Sequence, residues 1–152
     1  MKNVFLFLFF ISSFVHAEEI TGKVIRVIDG DTIDVLENTT PVRIRLQNID
    51  APEKKQPFGS WSADQMKKLV AGQSVTVSYT EHDRYGRIIG SVSLHGTDAS
   101  TYMVNAGAAW VYDRYNTDGH LPDLQRQAQA AKRGLWSDSN PVPPWVWRRQ
   151  NH

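Results

Sequence analysis

Apolar and polar positions alternate with period two over several short stretches of this chain, and the period lengthens only between and after them. Val42, Ile44 and Leu46 alternate with Arg43, Arg45 and Gln47, which predicts a half-buried strand with one polar face. Thr21–Ile28 and Thr32–Glu37 are rich in β-branched residues and meet at Asp29-Gly30-Asp31, a tight-turn sequence. Ser74–Glu81 alternates again through Val75, Val77 and Tyr79; Asp83-Arg84-Tyr85-Gly86-Arg87 turns the chain into a further strand, Ile88–Leu94. Helical spacing begins at Ser60, with Trp61, Met66, Leu69 and Val70 apolar and Gly72 as a stop. It returns at Asp98–Ala106, capped near Thr97 or Asp98, and at Leu121–Lys132, closed by Gly134. Ala108–Tyr112 reads as a short strand, and Pro141, Pro143 and Pro144 predict an extended tail.

Three strands, a helix, two strands and then helices leave no βαβ alternation, so a parallel sheet is not expected. The order is compatible with an α+β fold built on a five-stranded Greek-key OB barrel with three α-helices.

The first residues stand apart from this pattern. Met1-Lys2-Asn3 is a short basic start, Val4 to Val15 an apolar run, and Val15-His16-Ala17 a small-residue cleavage signature, the layout of a secretory signal over 1–17. The run is shorter than the ~20 residues that span a bilayer. The expectation is a cleaved signal, a domain over 18–138, a Pro/Trp/Arg tail over 139–152, and a secreted or periplasmic product.

Composition narrows the chemistry. With no cysteine, disulfide frameworks, thiolate zinc sites, thiol catalysis and iron–sulfur clusters are excluded. The net charge of +1 gives no global field for a polyanion, so any grip on nucleic acid must be local. His82, His95, His120 and His152 are dispersed without metal-ligand spacing. Asp29, Asp31, Asp50 and Glu53, if brought together, repel one another unless a cation compensates them, and oxygen-only donors select a hard ion such as Ca²⁺ or Mg²⁺. An EF-hand does not fit: counted from Asp29, position 6 is Asp34 and position 12 is Thr40. Arg45 and Arg87 carry fork-shaped guanidiniums suited to phosphate oxygens. Taken singly, each of these groups is equally at home in a turn or on a solvated surface.

Together they form a pattern. Ile28-Asp29-Gly30-Asp31-Thr32, Arg45-Leu46, Ile49-Asp50-Ala51-Pro52-Glu53 and Asp83-Arg84-Tyr85-Gly86-Arg87, continued by Gly107, Tyr115 and Gly134-Leu135-Trp136-Ser137, resemble the thermonuclease (staphylococcal nuclease-like) family over roughly residues 20 to 138. The resemblance implies an OB barrel with three helices and a Ca²⁺-dependent endonuclease site for DNA or RNA, breaking the 5′ P–O bond to leave 3′-phosphate ends. It assigns Asp31, Asp50 and the main-chain oxygen of Ala51 as Ca²⁺ ligands and Asp29 as an outer-shell carboxylate. Arg45, Glu53 and Arg87 match the catalytic trio, and Arg84, Tyr85 and Tyr115 the positions that hold substrate. A monomer with no membrane anchor after signal cleavage is expected. The chain departs from the family pattern at Ala51, where a Thr is usual, and at Asp113, where a second substrate-contacting Tyr is usual; its 54–60 loop is also shorter. The rival readings are a non-catalytic nucleic-acid-binding OB module and a secreted adhesive barrel. The segment Pro144-Trp145-Val146-Trp147-Arg148-Arg149 either grips nucleic acid or folds back over the barrel, and the amphipathic character of Trp favours packing.

Overall fold

A computed structural model describes Ser12 and residues 15–152. The apolar run of the expected signal therefore falls almost wholly outside the described residues. Among the described residues, no helix is long and apolar enough to cross a membrane.

Strand β1 (Glu18–Asp29) turns back on β2 (Thr32–Glu37) through Gly30-Asp31, with Asp29 opposite Thr32. Strand β3 (Thr40–Leu46) follows after a turn in which Asn38 takes a positive φ of 54°. A two-residue strand, β4 (Ile49–Asp50), leads through a loop to helix α1 (Gly59–Val70). Next come β5 (Ser74–His82), β6 (Ile88–Leu94) and the short β7 (Thr97–Asp98). Helix α2 (Ala99–Asn105), strand β8 (Trp110–Val111) and helix α3 (Leu121–Ala130) then precede a 3₁₀ turn at Gly134–Ser137 and helix α4 (Pro144–Gln150).

The sheet runs β3-β2-β1-β5-β6-β7, and β3 also pairs in parallel with β6 through Ile44↔Ile88, Arg45↔Ile89 and Leu46↔Gly90. That pairing closes β1, β2, β3, β5 and β6 into the expected five-stranded barrel. Its interior holds the apolar half of each alternating strand: Ile33, Val35, Ile44, Leu46, Val75, Val77 and Val92 are buried. Met66 and Val70 of α1 and Met103 and Val104 of α2 join the same core. The outward half of β3 is Arg43 and Arg45, so burying Ile44 and Leu46 is what sets both guanidiniums on the barrel's outer face.

Two features depart from the sequence reading. The tail is not extended throughout: from Pro144 it is helical, giving four α-helices rather than three among the described residues. Proline lacks the N–H that a first-turn residue cannot use, so it opens a helix as readily as it forbids continuing one. The second is at the amino end, where β1 begins at Glu18, three residues before the expected start, because Glu18–Lys23 pairs with Ser74–Tyr79. Asp98 caps α2 as the sequence indicates, its carboxylate accepting from the Thr101 amide.

Candidate active site

Two turns and one strand meet here, and a glycine allows it. A Cβ on Gly30 would lie 2.0 Å from Ser62 Oγ and 2.8 Å from Ala51 Cβ, so only glycine lets the β1–β2 turn reach α1 and the 51–53 segment. The approach is fastened by Asp31, whose Oδ2 accepts from the Ala51 amide at 2.7 Å and whose Oδ1 accepts from the Thr32 hydroxyl at 2.9 Å. On the other side, the Leu46 amide donates to the Asp31 carbonyl at 2.8 Å, tying β3 to the same turn.

Asp31 and Asp50 are both buried, 5% and 2% exposed, and Arg45 Nη2 lies 3.4 Å from an oxygen of each. One nitrogen facing both carboxylates means that two separate loops converge on one point. Arg45 is held there by its Nη1, which donates to the Leu46 carbonyl. Asp29 stands behind, its Oδ1 accepting from the Asp31 amide at 3.0 Å. Burial first, and then the charge of Asp31, pushes the Asp29 carboxyl up to about 8. Burial also raises Asp50, against hydrogen bonding from Arg148 and the charge of Arg45, which pull it down.

The donor set suits a hard cation. The two carboxylates that Arg45 faces, Asp31 and Asp50, offer oxygen donors only. Among the described residues, no group of three or more His, Cys, Asp or Glu side chains forms a ready metal cage. Asp31 and Asp50 are the side chains that could hold such an ion, with water and a substrate oxygen filling the remaining positions.

Glu53 joins this cluster through a residue that the sequence reading did not select. Arg148 of α4 donates from Nη2 to Asp50 Oδ2 at 2.8 Å, and from Nη1 to Asp50 Oδ1 at 3.2 Å and to Glu53 Oε1 at 2.8 Å. These bonds, to Asp50 first and then Glu53, hold the Arg148 guanidinium's pKa above its ordinary value. Gln56 fastens the same loop to the tail: its Oε1 accepts from the Glu53 amide at 3.1 Å and its Nε2 donates to the Val142 carbonyl at 2.6 Å. Partners 95 and 98 residues apart leave no local pattern, so neither role was legible in a motif.

Arg87 takes its contacts from its own turn. Its Nε donates to Asp83 Oδ2 at 2.6 Å, and its guanidinium carbon is 5.7 Å from the centre of the Tyr85 ring. With Tyr85 and Gly86 it forms one wall of an open cleft of about 450 Å³ whose other residues are Arg26, Asp34, Pro41 and Arg43. Asp31, Asp50 and Glu53 do not line that cleft. Arg84 Nη2 donates to the Tyr85 hydroxyl at 2.7 Å, and Tyr85 is 69% exposed. Tyr115, also exposed, packs its ring edge-on to Tyr112 at 4.9 Å. The structure therefore joins Asp29, Asp31, Asp50, Ala51, Arg45 and Glu53 in one cluster, and holds Arg84, Tyr85 and Arg87 together on a neighbouring turn.

Asp34, on the cleft wall, accepts from Arg43 at 2.8 and 3.1 Å and from Arg26 at 3.1 Å. The Arg43 hydrogen bonds foremost hold its carboxyl below the ordinary range. A depressed carboxyl stabilises the fold above its unfolded-state pKa of about 4, and that contribution disappears as pH falls through the folded value. Asp34→Asn is accordingly expected to lower stability at neutral pH by at most about 1 kcal/mol, since both arginines are solvated. The gap from the parent protein closes in more acid solution. Urea unfolding across pH reads this directly; a gap that widens on acidification would contradict it.

A small closed barrel with a carboxylate–guanidinium cluster beside β3 and β4 is the class that this geometry defines. The family model described as staphylococcal nuclease homologue matches residues 43–138. A protein named "Uncharacterized endonuclease" from Escherichia coli is 57% identical over 150 residues, 98% of each chain. "Micrococcal nuclease" from Shigella flexneri is 42% identical over 139 residues, covering 84% of this chain and 80% of its own. An "Uncharacterized endonuclease" from Haemophilus influenzae is 37% identical over 146 residues, 95% of this chain and 82% of its own. The chain belongs to the staphylococcal nuclease homologue family.

Proposed function

We propose that this protein is a Ca²⁺-dependent phosphodiesterase that hydrolyses DNA or RNA internally, breaking the 5′ P–O bond to leave 3′-phosphate ends. Family membership supports the hydrolysis of phosphodiesters. The observation that carries the finer reading is the convergence of Asp31 and Asp50 on one Arg45 nitrogen, 3.4 Å from each.

Asp31, Asp50 and the Ala51 carbonyl would hold the cation, with Asp29 behind them. Bound there, Ca²⁺ supplies Lewis-acid neutralisation of the phosphate. Arg45 and Arg87 donate hydrogen bonds to phosphate oxygens, and these strengthen as charge builds toward the transition state. Glu53 orients the attacking water and accepts its proton, a role suited to a carboxylate whose side chain is 39% exposed. Arg84 and Tyr85, on the same turn as Arg87, grip the substrate beside the reacting phosphate, the Tyr85 ring offering a stacking face, and Tyr115 offers another. The signal over 1–17 directs the protein out of the cytoplasm, to the periplasm or the medium, where it acts as a monomer.

Digestion of single- and double-stranded DNA and of RNA by the purified protein tests this reading. Added Ca²⁺ is expected to yield short products with 3′-phosphate ends, and excess EDTA to abolish cleavage. Full activity in EDTA would remove the metal role, and a gel shift with unchanged fragment length under Ca²⁺ would favour a binding module instead.

A further inference from the structure

The tail helix does not merely pack near the carboxylates; it places a cation on them. We propose that α4 is a latch whose Arg148 guanidinium, paired also with Glu53, takes the divalent cation's place on Asp50, so that metal loading and release of the tail are coupled. The proposal rests on the metal reading of the site given above.

Both oxygens of Asp50 are engaged. Oδ2 accepts from Arg148, and Oδ1 accepts from Arg148 at 3.2 Å and Arg45 at 3.4 Å. A carboxylate bound by a two-pronged guanidinium presents its lone pairs to those N–H groups rather than to a metal. A second, doubly charged cation within ligand distance of the same oxygens, about 2.3–2.6 Å, would also repel the guanidinium. Arg148 therefore weakens metal binding for as long as it stays seated.

The helix is delivered to this position by its own contacts. Trp145 stacks on Tyr112 with ring centres 5.3 Å apart and planes 5° from parallel, and meets Trp110 edge-on at 5.7 Å. Trp110 belongs to β8, which pairs with β4, the strand that carries Asp50. The Gln56 bond to Val142 holds the approach to the helix against the Glu53 loop. Arg148 itself is only partly buried, its side chain 33% exposed, so it can leave without unpacking the barrel core.

Arg149 is the control. It is the next residue, it carries the same charge, and it is exposed, with no ion-pair partner among the described residues. Calorimetric titration of the purified chain with Ca²⁺ should show about ten-fold tighter binding for Arg148→Gln, the scale expected when a charged hydrogen-bonding competitor is removed. Arg149→Gln should change the affinity much less. Backbone amide exchange over residues 146–150 of the parent protein should speed up on adding Ca²⁺, as the helix loses its anchor. Equal or weaker Ca²⁺ affinity in Arg148→Gln overturns the latch while leaving the metal site intact. So does a similar gain in both variants, or tail exchange that Ca²⁺ leaves unchanged. Failure of every protein to bind Ca²⁺ would instead remove the metal reading, and the latch with it.

Discussion

Arg45→Ala is expected to slow nucleic-acid hydrolysis by on the order of 10²–10³, the usual loss when one fixed donor to a developing oxyanion is removed. The same substitution should destabilise the metal-free protein, because among the described residues Arg45 is the one guanidinium that touches Asp31 as well as Asp50. Without it, Arg148 still compensates Asp50, but Asp31 keeps only its hydrogen bonds from the Ala51 amide and the Thr32 hydroxyl. A loss of about 1–3 kcal/mol is the scale for leaving a buried charged group short of a partner. The two effects should separate on adding Ca²⁺. A cation seated on the carboxylates replaces the missing charge and recovers stability, yet it cannot replace the lost donor to phosphate, so the rate stays low. Arg45→Lys sharpens the distinction, keeping the charge while losing the planar fork, and should restore stability more than rate. Melting curves and kcat, each with and without Ca²⁺, read all of this. A rate for Arg45→Ala within a few-fold of the parent protein would show that Arg45 is a structural counter-ion only.

How much of this was legible in the sequence depended on how local its cause was. The alternation at Val42, Ile44 and Leu46 fixed which face of β3 turns inward, and Ile44 and Leu46 are 0% and 1% exposed. That placed Arg43 and Arg45 outside without further information. The turn at Gly30-Asp31 was equally plain, as were the bounds of β6 at Ile88–Leu94. The short carboxyl-terminal strand was harder: the expected 108–112 stretch is only Trp110–Val111, because its partner β4 offers just two residues to pair with. Glu18 is charged and follows the expected cleavage point, so nothing local marks it as strand. Its place comes from pairing with Tyr79, whose hydroxyl donates to the Glu18 carboxylate at 2.7 Å. The prolines of the tail misled in one respect, since they describe the chain up to Pro143 and then serve as the first turn of α4. The resemblance supplied the carboxylates and Arg45 as one site. It could not supply Arg148 or Gln56, whose roles exist only once the tail has crossed to the 50–56 segment.

The other large effect is expected away from the chemistry, at Leu46→Ala. Leu46 is 1% exposed and lies in β3 at the point where that strand closes the barrel against Gly90 of β6. Truncating a buried Leu removes apolar burial and leaves a cavity that its neighbours fill only in part, at a cost of about 2–5 kcal/mol. Here relaxation is restricted on both flanks, because β3 is hydrogen-bonded to β2 on one side and to β6 on the other. The cost should therefore fall in the upper part of that range, lowering the melting temperature by about 10 °C or more for a domain of this size. The main chain of Leu46 also holds the site, its amide donating to the Asp31 carbonyl and its carbonyl accepting from Arg45. Alanine keeps both of these groups. Well below its melting point, Leu46→Ala should therefore retain most of the parent kcat, the converse of Arg45→Ala, which loses rate out of proportion to stability. If Leu46→Ala instead lost activity at temperatures where its circular dichroism remained native, the side chain as well as the backbone of Leu46 would be setting the position of Arg45.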